Sequence, residues 1–502
     1  MIRKNFAVLF FVASVFCISA FAQTQNAPSP AGIFESQNDV GSVTPAGTGD
    51  YDAATKTYHL AASGQNIWAL HDDFHFVWKR VSGDFAVTAD ISFPDKSGPE
   101  HKKAVLMFRE SLDPDSKYAD VAVHGNGLTA LQYRHEKGAV TGELQLVGTA
   151  PQRLRLEKRG SYVYVFAADA AGEFHPPGAA VRVSFDGPFY VGIGMCAHQA
   201  DLTEKGTFAN VELTPLPNAS SQSQLYSALD VIDMASLDIS EVYVAPGRIE
   251  APNWTHDGSA FIFNGEGHIW RLPVTGGKPE TVNTGSAVQN INDHGISPDG
   301  TQLAITDQSE PDHHFRIYVL PVAGGTPRQV SEANSYWHGW SPDGKTLSFV
   351  GQPNSDYDVY TVPVAGGSET RLTTAKGIDD GPDYSPDGKY IYFSSERNGS
   401  MQIWRMNADG SDQQQITNDG FQNRFPHASP DGQSLEFLTY DPGISGHPQD
   451  KDVMIRIMSL KDGSIKEIAW IFGGEGSINA PAWSPDGKKL AFVNYTYFPV
   501  EK

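Results

Sequence analysis

A four-residue phrase, Ser-Pro-Asp-Gly, recurs through the second half of this 502-residue chain. Five copies begin at Ser297, Ser341, Ser385, Ser429 and Ser484, and a related copy, Thr-His-Asp-Gly, begins at Thr255. The closing glycines lie at positions 258, 300, 344, 388, 432 and 487, so successive copies are 42, 44, 44, 44 and 55 residues apart. A period of this length is typical of solenoids and propellers.

Each copy separates two apolar stretches, as a hairpin turn between β-strands does. Proline sets the backbone angle of the first turn position, aspartate tolerates the second, and glycine accepts the positive φ that reverses the strand. A second glycine-containing turn follows in the repeats, at 275–277, 323–325, 365–367, 408–410 and 461–463. Two hairpin turns in each repeat predict a four-stranded blade, and no segment has a sustained helical period.

The ends of the repeat region predict a closed ring. After the last Ser-Pro-Asp-Gly only residues 488–502 remain, enough for one strand and a tail. Two strand-like segments, 229–234 and 240–244, precede the first complete repeat and could supply the missing outer strands. Closing the last blade with the first strands removes an open sheet edge. We therefore predict a six-bladed β-propeller over residues 225–502.

Three segments carry a family resemblance: 251–254 (Ala-Pro-Asn-Trp), 380–388 (Asp-Gly-Pro-Asp-Tyr-Ser-Pro-Asp-Gly) and 402–411 (Gln-Ile-Trp-Arg-Met-Asn-Ala-Asp-Gly-Ser). They are similar to TolB-type propeller repeats, and the resemblance covers about residues 225–502. TolB itself is a periplasmic interaction protein, while similar repeats occur in enzymes and sensors. The resemblance implies a propeller that binds a polymer or a protein.

A second β-rich region occupies residues 32–214, and a linker rich in serine and proline is predicted at 215–224. The strongest strand pattern is 85–93, where the odd positions are apolar and the even positions between them are mostly polar. Further strands are predicted at 153–157, 162–166 and 181–185. This pattern predicts a two-sheet β-sandwich, which makes the whole chain all-β.

The segments 83–89, 104–110, 154–160 and 208–213 are similar to concanavalin-like jelly rolls of the lectin and glucanase type. This resemblance implies that the N-terminal region binds a glycan or polysaccharide. Because aromatic faces stack on sugar rings, Trp68, Trp78, Tyr133 and His124 are candidate contacts. Packing in the core is the alternative for each of them.

The first 22 residues have the pattern of a secretory signal. Arg3 and Lys4 precede an apolar run over 6–18, and Ala20-Phe21-Ala22 ends it. Cleavage is predicted after Ala22, which would place the protein in the periplasm or outside the cell. No later run is long enough to span a bilayer. The net charge of −22 makes nucleic acids and anionic membranes poor partners.

Aligning the copies on the first residue of the turn shows an irregular position near the propeller axis. Three residues before that position lie Pro252, His294, His338, Pro382, Pro426 and Pro481. Five residues before it lie Glu250, Asn292, Tyr336, Asp380, Arg424 and Asn479. Positions two apart on a strand share a face, and equivalent positions of all blades lie at one height. These side chains are therefore predicted to surround one mouth of the central channel.

The two neighbouring histidines, His294 and His338, suggest a metal or acid–base site. With Asp380 and Glu250 on the same rim, they could hold a divalent metal or transfer protons. Propeller-type oligogalacturonate lyases, which are similar in architecture, use a histidine-bound metal near the axis. The alternative is that each histidine bonds to a neighbouring loop and packs beneath its blade. No other cofactor is indicated.

The 55-residue interval contains eleven more residues than its neighbours, around 440–452. The inserted segment is polar and rich in turn-forming residues, which is typical of a loop over a site. His447 and Lys451 within it, and Glu475 after it, are candidates to contact a bound substrate.

Two functions are compatible with these features. The favoured one is an exported binding protein, whose sandwich binds glycan and whose propeller binds a polymer or a protein, envelope proteins included. The alternative is a carbohydrate-active lyase or hydrolase with its site at the channel mouth. The candidate catalytic residues are His294, His338, Asp380, Arg424, His447 and Lys451. The candidate substrate-binding residues are Glu250, Asn292, Tyr336, Glu475 and Asn479 at the mouth, with Trp68, Trp78 and Tyr133 in the sandwich.

Overall fold

The computed structural model describes residues 32–146, 153–169, 171–174, 179–217, 223–332, 334–352 and 356–499. The predicted leader, residues 1–22, and the centre of the predicted linker, 218–222, lie outside these residues. Strands, turns and bends make up the described residues, which contain no helix, so the prediction of an all-β chain is confirmed. In this part of the chain, accordingly, no helix has the length and apolarity needed to cross a membrane.

Sixteen strands are described before the propeller. They are β1 (Ser36–Val40), β2 (Thr48–Asp52), β3 (Thr57–Ala62), β4 (Ile67–Trp68), β5 (His71–Asp72), β6 (Phe74–Val81), β7 (Phe85–Ser92), β8 (Lys103–Arg109), β9 (Tyr118–His124), β10 (Thr129–Arg134), β11 (Gly142–Gln145), β12 (Arg153–Arg159), β13 (Tyr162–Ala167), β14 (Ala179–Arg182), β15 (Phe189–Cys196) and β16 (Glu204–Pro215).

The propeller region contributes the remaining described strands. They are β17 (Ser223–Asp233), β18 (Ile239–Pro246), β19 (Ile249–Trp254), β20 (Ala260–Gly265), β21 (His268–Pro273), β22 (Glu280–Thr281), β23 (Asn290–Ile296), β24 (Gln302–Asp307), β25 (Arg316–Pro321), β26 (Arg328–Gln329), β27 (Ser335–Trp340), β28 (Thr346–Gly351), β29 (Asp358–Pro363), β30 (Thr370–Arg371), β31 (Asp379–Tyr384), β32 (Tyr390–Ser395), β33 (Gln402–Asn407), β34 (Gln414–Gln415), β35 (Gln422–Ala428), β36 (Ser434–Tyr440), β37 (Gln449–Ser459), β38 (Ile465–Gly474) and β39 (Lys489–Pro499).

Two β-sheets pack face to face in the N-terminal region. One has the strand order β14-β13-β12-β7-β16-β3-β2, and the other begins β1-β6-β15-β8-β9-β10-β11. The odd positions of β7 belong to the shared core, which contains Val87 together with Leu106 and Val121 of the other sheet. All three side chains are fully buried. The apolar odd positions of β7 therefore form its core-facing side, as the sequence predicted. The likeness to concanavalin-like jelly rolls stays a prediction.

Five four-stranded sheets form blades of the propeller, each composed of four consecutive strands from β19 to β38. The Ser-Pro-Asp-Gly turn joins the first strand of a blade to the second. In the turn between β27 and β28, the Ser341 hydroxyl donates to Asp343 Oδ1 over 2.7 Å and accepts from the Thr346 backbone over 2.9 Å. Gly344 has a φ of 68°, which explains why glycine ends the phrase.

The last and first strands of the propeller region meet, so the ring is closed. Along its whole length β39 pairs with β17, which in turn pairs with β18. The chain before β39 lies between the first and fifth blades: Asn253 donates to the Pro481 carbonyl over 2.6 Å, and His427 Nε2 lies 3.1 Å from the Ile478 carbonyl. Three strands thus occupy the ring position between these two blades. The described residues therefore contain five four-stranded blades, one fewer than the six predicted, because the closing strands belong to a larger sheet.

The closing strands also belong to the sandwich. A parallel pairing of β11 with β18, at Leu144 and Ile239, makes one ten-stranded sheet that runs from β1 to β39. Both ends of the predicted linker, 215–224, lie in strands, because Pro215 still belongs to β16 and Ser223 begins β17. The sequence did not indicate this joint sheet, since the pairing connects segments far apart in the chain.

Candidate functional site

The inner strands of the five blades, and the segment that follows β38, bring polar side chains together at one end of the channel. We call this set the mouth cluster. Its members are Glu250 (β19), Asn292 and Asp293 (β23), Tyr336 and His338 (β27), Asp380 (β31), Arg424 (β35), His447 from the loop between β36 and β37, and Glu475 and Asn479 from the segment after β38.

A bulge in each inner strand decides which side chains face the channel. An extra residue in one strand of a pair turns the following side chains to the other face. In β27 the register shifts between Trp337 and Gly339, so His338 is the residue without a cross-strand partner. In β23 the shift ends before His294, which pairs normally with Ile305. The two aligned histidines therefore occupy different positions relative to the bulge.

A chain of ion pairs and hydrogen bonds crosses the mouth. His338 Nε2 lies 3.2 Å from Asp380 Oδ1, and His447 Nε2 lies 3.3 Å from Asp380 Oδ2. The other ring nitrogen of His447 contacts a carboxylate oxygen of Glu475. Glu475 Oε1 also accepts hydrogen bonds from Asn292 over 2.6 Å and from Asn479 over 2.9 Å. Blades two, three, four and five are thus connected to the closing segment through side chains.

The charges in this chain are fixed by their neighbours. The negative charge of Glu475 raises the pKa of His447 to about 10. Burial opposes ionisation of Asp380, but the hydrogen bond from His338 and the charge of His447 lower the pKa of this carboxyl. The charge of His447 likewise outweighs burial and lowers the pKa of Glu475. At neutral pH the mouth therefore holds a charged imidazolium between two ionised carboxylates.

Two other carboxyl groups of the mouth titrate near neutrality. Burial raises the pKa of Asp293 to about 7, and it raises the pKa of Glu250 to about 7 as well. Glu250 accepts hydrogen bonds from Asn264 over 2.9 Å and from Gln449 over 3.1 Å. Groups with such pKa values can either give or take a proton near pH 7.

Aromatic rings form the apolar part of the mouth. Phe425 is stacked on His338 with ring centroids 6.4 Å apart, and it meets His447 edge-on at 5.6 Å. Tyr336 packs on Phe315 at 5.0 Å. Burial raises the pKa of Tyr336 to about 12, so its hydroxyl is neutral and able to donate a hydrogen bond.

Arg424 is the cation of the mouth cluster that lacks an acidic partner among the described residues. Its side chain is 2% exposed and its guanidinium lies 5.4 Å from the centre of the Tyr440 ring. One nitrogen reaches the Ile444 carbonyl at 3.5 Å, while Nε and Nη1 have no hydrogen-bond partner. Burial lowers the pKa of Arg424, although nearby Asp380 and Glu475 oppose this effect. Buried donors without partners are costly, and this guanidinium keeps two nitrogens that could donate hydrogen bonds.

His294 does not join the mouth cluster. Burial lowers its pKa to about 4, opposed by backbone groups of Ile291, Ile262 and Ala251 and by no ionisable group. Neither ring nitrogen makes a well-formed hydrogen bond. The contacts of His294 are thus with the backbone of its own strand and of the first blade, and they include none with His338. Within the described ranges, no three histidine, cysteine, aspartate or glutamate side chains are placed to hold a metal ion.

The inserted segment of the fifth blade is partly loop and partly strand. Residues 441–448 form the loop that carries His447 to Asp380 and Glu475. The rest lengthens β37 to 11 residues and β38 to 10, against 6 and 2 for the matching strands of the first blade. Lys451 lies exposed in β37 opposite Gly473 and is not part of the mouth cluster.

The aromatic candidates of the sandwich do not form one platform. Trp68 lies 5.1 Å beneath the ammonium group of the buried Lys103. Trp78 donates to Asn38 over 2.6 Å and packs edge-on against Tyr190. His124 is buried, and burial lowers its pKa to about 3. These contacts fit the alternative of core packing.

Asp293 and Phe425 are mouth residues that the sequence alignment missed. Both lie four positions before the turn serine, between the two positions that the alignment selected. Asp293 is the charged residue at that position, since the equivalent residues of the other repeats are Ala251, Trp337, Gly381, Phe425 and Ala480. Inspecting all positions before the turn, without assuming strict alternation, would have found it.

Comparison with known proteins agrees with the architecture. Residues 297–455 match the model of the TolB β-propeller domain. An uncharacterised protein of Agrobacterium fabrum, Atu1656, is 45% identical over 277 residues, which cover 55% of this chain and 94% of that protein. A solved structure from Agrobacterium tumefaciens, provisionally named TolB, is 44% identical, with a TM-score of 0.53, over 56% of this chain and all of that one. The chain belongs to the TolB-like β-propeller family.

A more distant TolB-like relative is also known as a structure. The crystal structure of TolB from Acinetobacter baumannii is 16% identical, with a TM-score of 0.37, over 68% of this chain and 80% of that one. Membership of the TolB-like family gives the propeller and leaves the ligand of the mouth cluster to be inferred from its chemistry.

Proposed function

We propose that this TolB-like protein is an exported binding protein whose mouth cluster holds a carboxylate-bearing segment of a partner protein. The observation that supports this proposal is the buried Arg424 guanidinium with two nitrogens that lack hydrogen-bond partners. His447, Asp380 and Glu475, the other mouth groups described above as charged at neutral pH, each contact a group of opposite charge. A carboxylate is the group that matches a guanidinium in charge and in planar geometry.

The overall charge of the chain does not prevent this binding. At −22 the chain repels an acidic ligand at long range. The Debye length is about 8 Å at physiological ionic strength, so charges elsewhere on the surface are screened at the mouth. Buried pairs such as Arg424 with a ligand carboxylate are screened much less. We therefore expect affinity for an acidic segment to hold or increase as moderate salt is added.

A protein segment fits the mouth better than a polysaccharide does. The propeller is similar to that of TolB, itself an interaction protein, which favours a protein partner. Phe425 and Tyr336 add apolar surface beside the charged groups, and a peptide supplies apolar side chains next to its carboxylates. The His447 side chain, 35% exposed, lies at the entrance and would contact the segment first.

Calorimetric titration of the full chain with three polymers tests this proposal. Poly-L-glutamate represents an acidic peptide, poly-L-lysine a basic one and polygalacturonate an acidic polysaccharide. We expect poly-L-glutamate to bind and Arg424→Gln to weaken binding by about tenfold or more, since a charged hydrogen bond contributes roughly 1.5–3 kcal/mol. Arg405→Gln is the matched control, because Arg405 stacks on Tyr390 at 4.4 Å, away from the mouth.

Two results of these titrations would count against a carboxylate site at Arg424. Binding of poly-L-glutamate that Arg424→Gln does not change, or preferential binding of poly-L-lysine, would contradict the proposal. Melting temperatures of both variants must be compared, so that a folding defect is not read as a loss of binding. Arg424→Lys, which keeps the charge and loses the planar fork, should fall between the wild type and Arg424→Gln.

A second candidate function is a carbohydrate-active lyase or hydrolase at the same mouth. The observation that favours it is the pair of carboxyl groups, Asp293 and Glu250, whose pKa values burial raises to about 7. Such groups suit proton transfer to or from a sugar. Release of reducing or unsaturated ends from polygalacturonate, lost in Asp293→Asn, would support the enzyme and overturn the binding-only account.

A further inference from the structure

A cleft of about 730 Å³ lies between the sandwich and the closing strands of the propeller. Its walls include Tyr133 and Tyr162 from the sandwich, and Asp230, Trp470 and Phe472 from the propeller. This volume is within the range of small-molecule sites, which often lie between domains. The cleft is separate from the mouth cluster, since none of the mouth residues lines it.

Contacts on both sides hold the walls of the cleft in place. Arg182 of the sandwich pairs with Asp452 of the propeller at 2.6 Å. Tyr162 meets Phe472 edge-on, with ring centroids 6.0 Å apart. The joint sheet formed by β11 and β18 closes one side. The cleft is therefore a built feature of the two packed regions.

Large apolar side chains stay exposed along the cleft. Trp470 is 46% exposed and Val140 is 68% exposed. Tyr133, which the sequence singled out as a sugar contact, lies in the same wall. An exposed tryptophan beside buried aromatic rings is typical of a surface on which a ring-shaped ligand stacks.

Two buried polar atoms in the cleft lack a partner. Asp230 is fully buried, and its Oδ1 has no hydrogen-bond partner, while its other oxygen contacts Asn494. The Nε2 atom of His135, also in the cleft wall, is unpartnered too. A buried polar group left unpaired destabilises the fold, so a ligand that supplies hydrogen bonds here would remove that penalty.

The state of Asp230 selects the chemistry of the ligand. Burial raises the pKa of Asp230 to about 8, so at neutral pH this carboxyl is mainly protonated and can donate as well as accept a hydrogen bond. Asp452, another carboxylate in the wall, is already paired with Arg182. Glu136 and Glu467, the remaining carboxylates of the wall, are exposed at its edge, so the buried part of the cleft offers a cationic ligand little free negative charge. A neutral ring with hydroxyl groups offers both the stacking face and the hydrogen bonds.

From this geometry we propose that the cleft between the sandwich and the propeller binds a neutral sugar residue, stacked on Trp470 and hydrogen-bonded to Asp230 and His135. Sugars present C–H groups on one face of the ring and hydroxyls at its edge, which matches the two kinds of wall. The site is independent of the mouth cluster, so it can be correct whether or not Arg424 binds a carboxylate.

Fluorescence titration of the full chain with cellobiose, maltose and N,N′-diacetylchitobiose tests this proposal. We expect at least one of these disaccharides to change tryptophan emission in a saturable way. Trp470→Ala should weaken binding, followed by calorimetry, by about tenfold or more. Trp270→Ala is the matched control, because Trp270 is a half-buried tryptophan of β21 outside the cleft. Arg424→Gln should leave sugar binding unchanged.

A second variant addresses the polar wall. Asp230→Leu removes the unpartnered oxygen and should reduce sugar affinity while the melting temperature stays equal or rises. If that variant does not fold, sugar binding by Trp470→Ala still tests the proposal, because Trp470 is partly exposed. The proposal is overturned if none of the three disaccharides binds, if Trp470→Ala binds them as well as the wild type, or if choline, used as a cationic probe, binds the cleft in their place.

Discussion

The imidazole of His447 lies 3.3 Å from Asp380, and its second nitrogen contacts Glu475. One side chain from an inserted loop thus joins a carboxylate of the fourth blade to a carboxylate of the closing segment. Because His447 is charged between two ionised acids, the loop is held over the channel mouth by electrostatics as well as by backbone contacts. Replacing this one residue should therefore disturb the mouth cluster and leave the blades intact.

His447→Gln should lower stability in a pH-dependent way. The folded-state pKa of about 10 lies above the ordinary value near 6.5, so the stabilisation is complete below about pH 6.5 and is lost as pH rises towards 10. We expect a loss of about 1–3 kcal/mol at pH 6 and a smaller one near pH 10, measured by urea denaturation. The exposed His313, changed to Gln, is the control. A stability difference that does not shrink with rising pH would argue against the ion pairs.

Asp293→Asn should raise stability at neutral and alkaline pH. A carboxyl whose pKa burial raises to about 7 destabilises the fold once it ionises, so the penalty is absent near pH 4 and complete above about pH 7. We expect a gain of about 1–3 kcal/mol at pH 8 and almost none at pH 4, followed by thermal unfolding.

Asp387→Asn provides a control of opposite sign for Asp293→Asn. Hydrogen bonds from Lys389 and Ser385 lower the pKa of Asp387 to about 2, so this exposed carboxylate stabilises its turn above about pH 4 and loses that effect as pH falls towards 2. Asp387→Asn should therefore lower stability at pH 8. Stability changes of the same sign for the two variants at pH 8 would contradict a destabilising ionised Asp293.

Gly432→Ala tests the conformational role of the repeated turn. Gly432 has a φ of 66°, and a methyl group there would meet nothing within 4 Å, so the cost is that of the backbone alone. We expect a loss of roughly 1–2 kcal/mol in urea denaturation. Gly187, which also has open space around it and no left-handed φ, is the control. Its change to alanine should leave stability unchanged or slightly higher.

Phe498→Ala should separate the unfolding of the two regions. The Phe498 ring lies 5.4 Å from Tyr164 and 5.1 Å from Phe166 of the sandwich, so it couples β39 to β13. We expect one calorimetric transition in the wild type and two in the variant. Phe421→Ala, which removes a ring within the propeller, should lower the melting temperature without splitting the transition. Two transitions in the wild type would show that the joint sheet does not couple the regions.

Much of the propeller could be predicted because its signals are local. A turn such as 341–344 needs proline, aspartate and glycine in fixed order. The hydrogen bonds of the Ser341 hydroxyl are made by the equivalent hydroxyl group in each of the other copies. Closure of the ring followed from counting strands, since the chain after 487 was too short for a complete blade. The pairing of β11 with β18 could not be foreseen, because two residues of parallel pairing leave no pattern in a sequence.

The mouth cluster was predicted in part. Strict alternation selected Glu250 and Asp380, and the insertion contains His447; all three are members of the mouth cluster. The assumption of strict alternation does not hold where a bulge changes the register of a strand. His294 was expected at the mouth, and the mouth cluster contains its neighbour Asp293 instead. Bulges depend on contacts between neighbouring blades, so repeats that align well in sequence can present different side chains to the channel.

Hydrogen–deuterium exchange of the full chain with and without poly-L-glutamate tests the central claim most directly, because it reports where a ligand binds. We expect slower exchange at 441–448 and at 475–479, which lie near Arg424, and no such change in Arg424→Gln. Slower exchange confined to the sandwich, to the outer strands of the blades or to no segment would contradict a ligand site at the channel mouth.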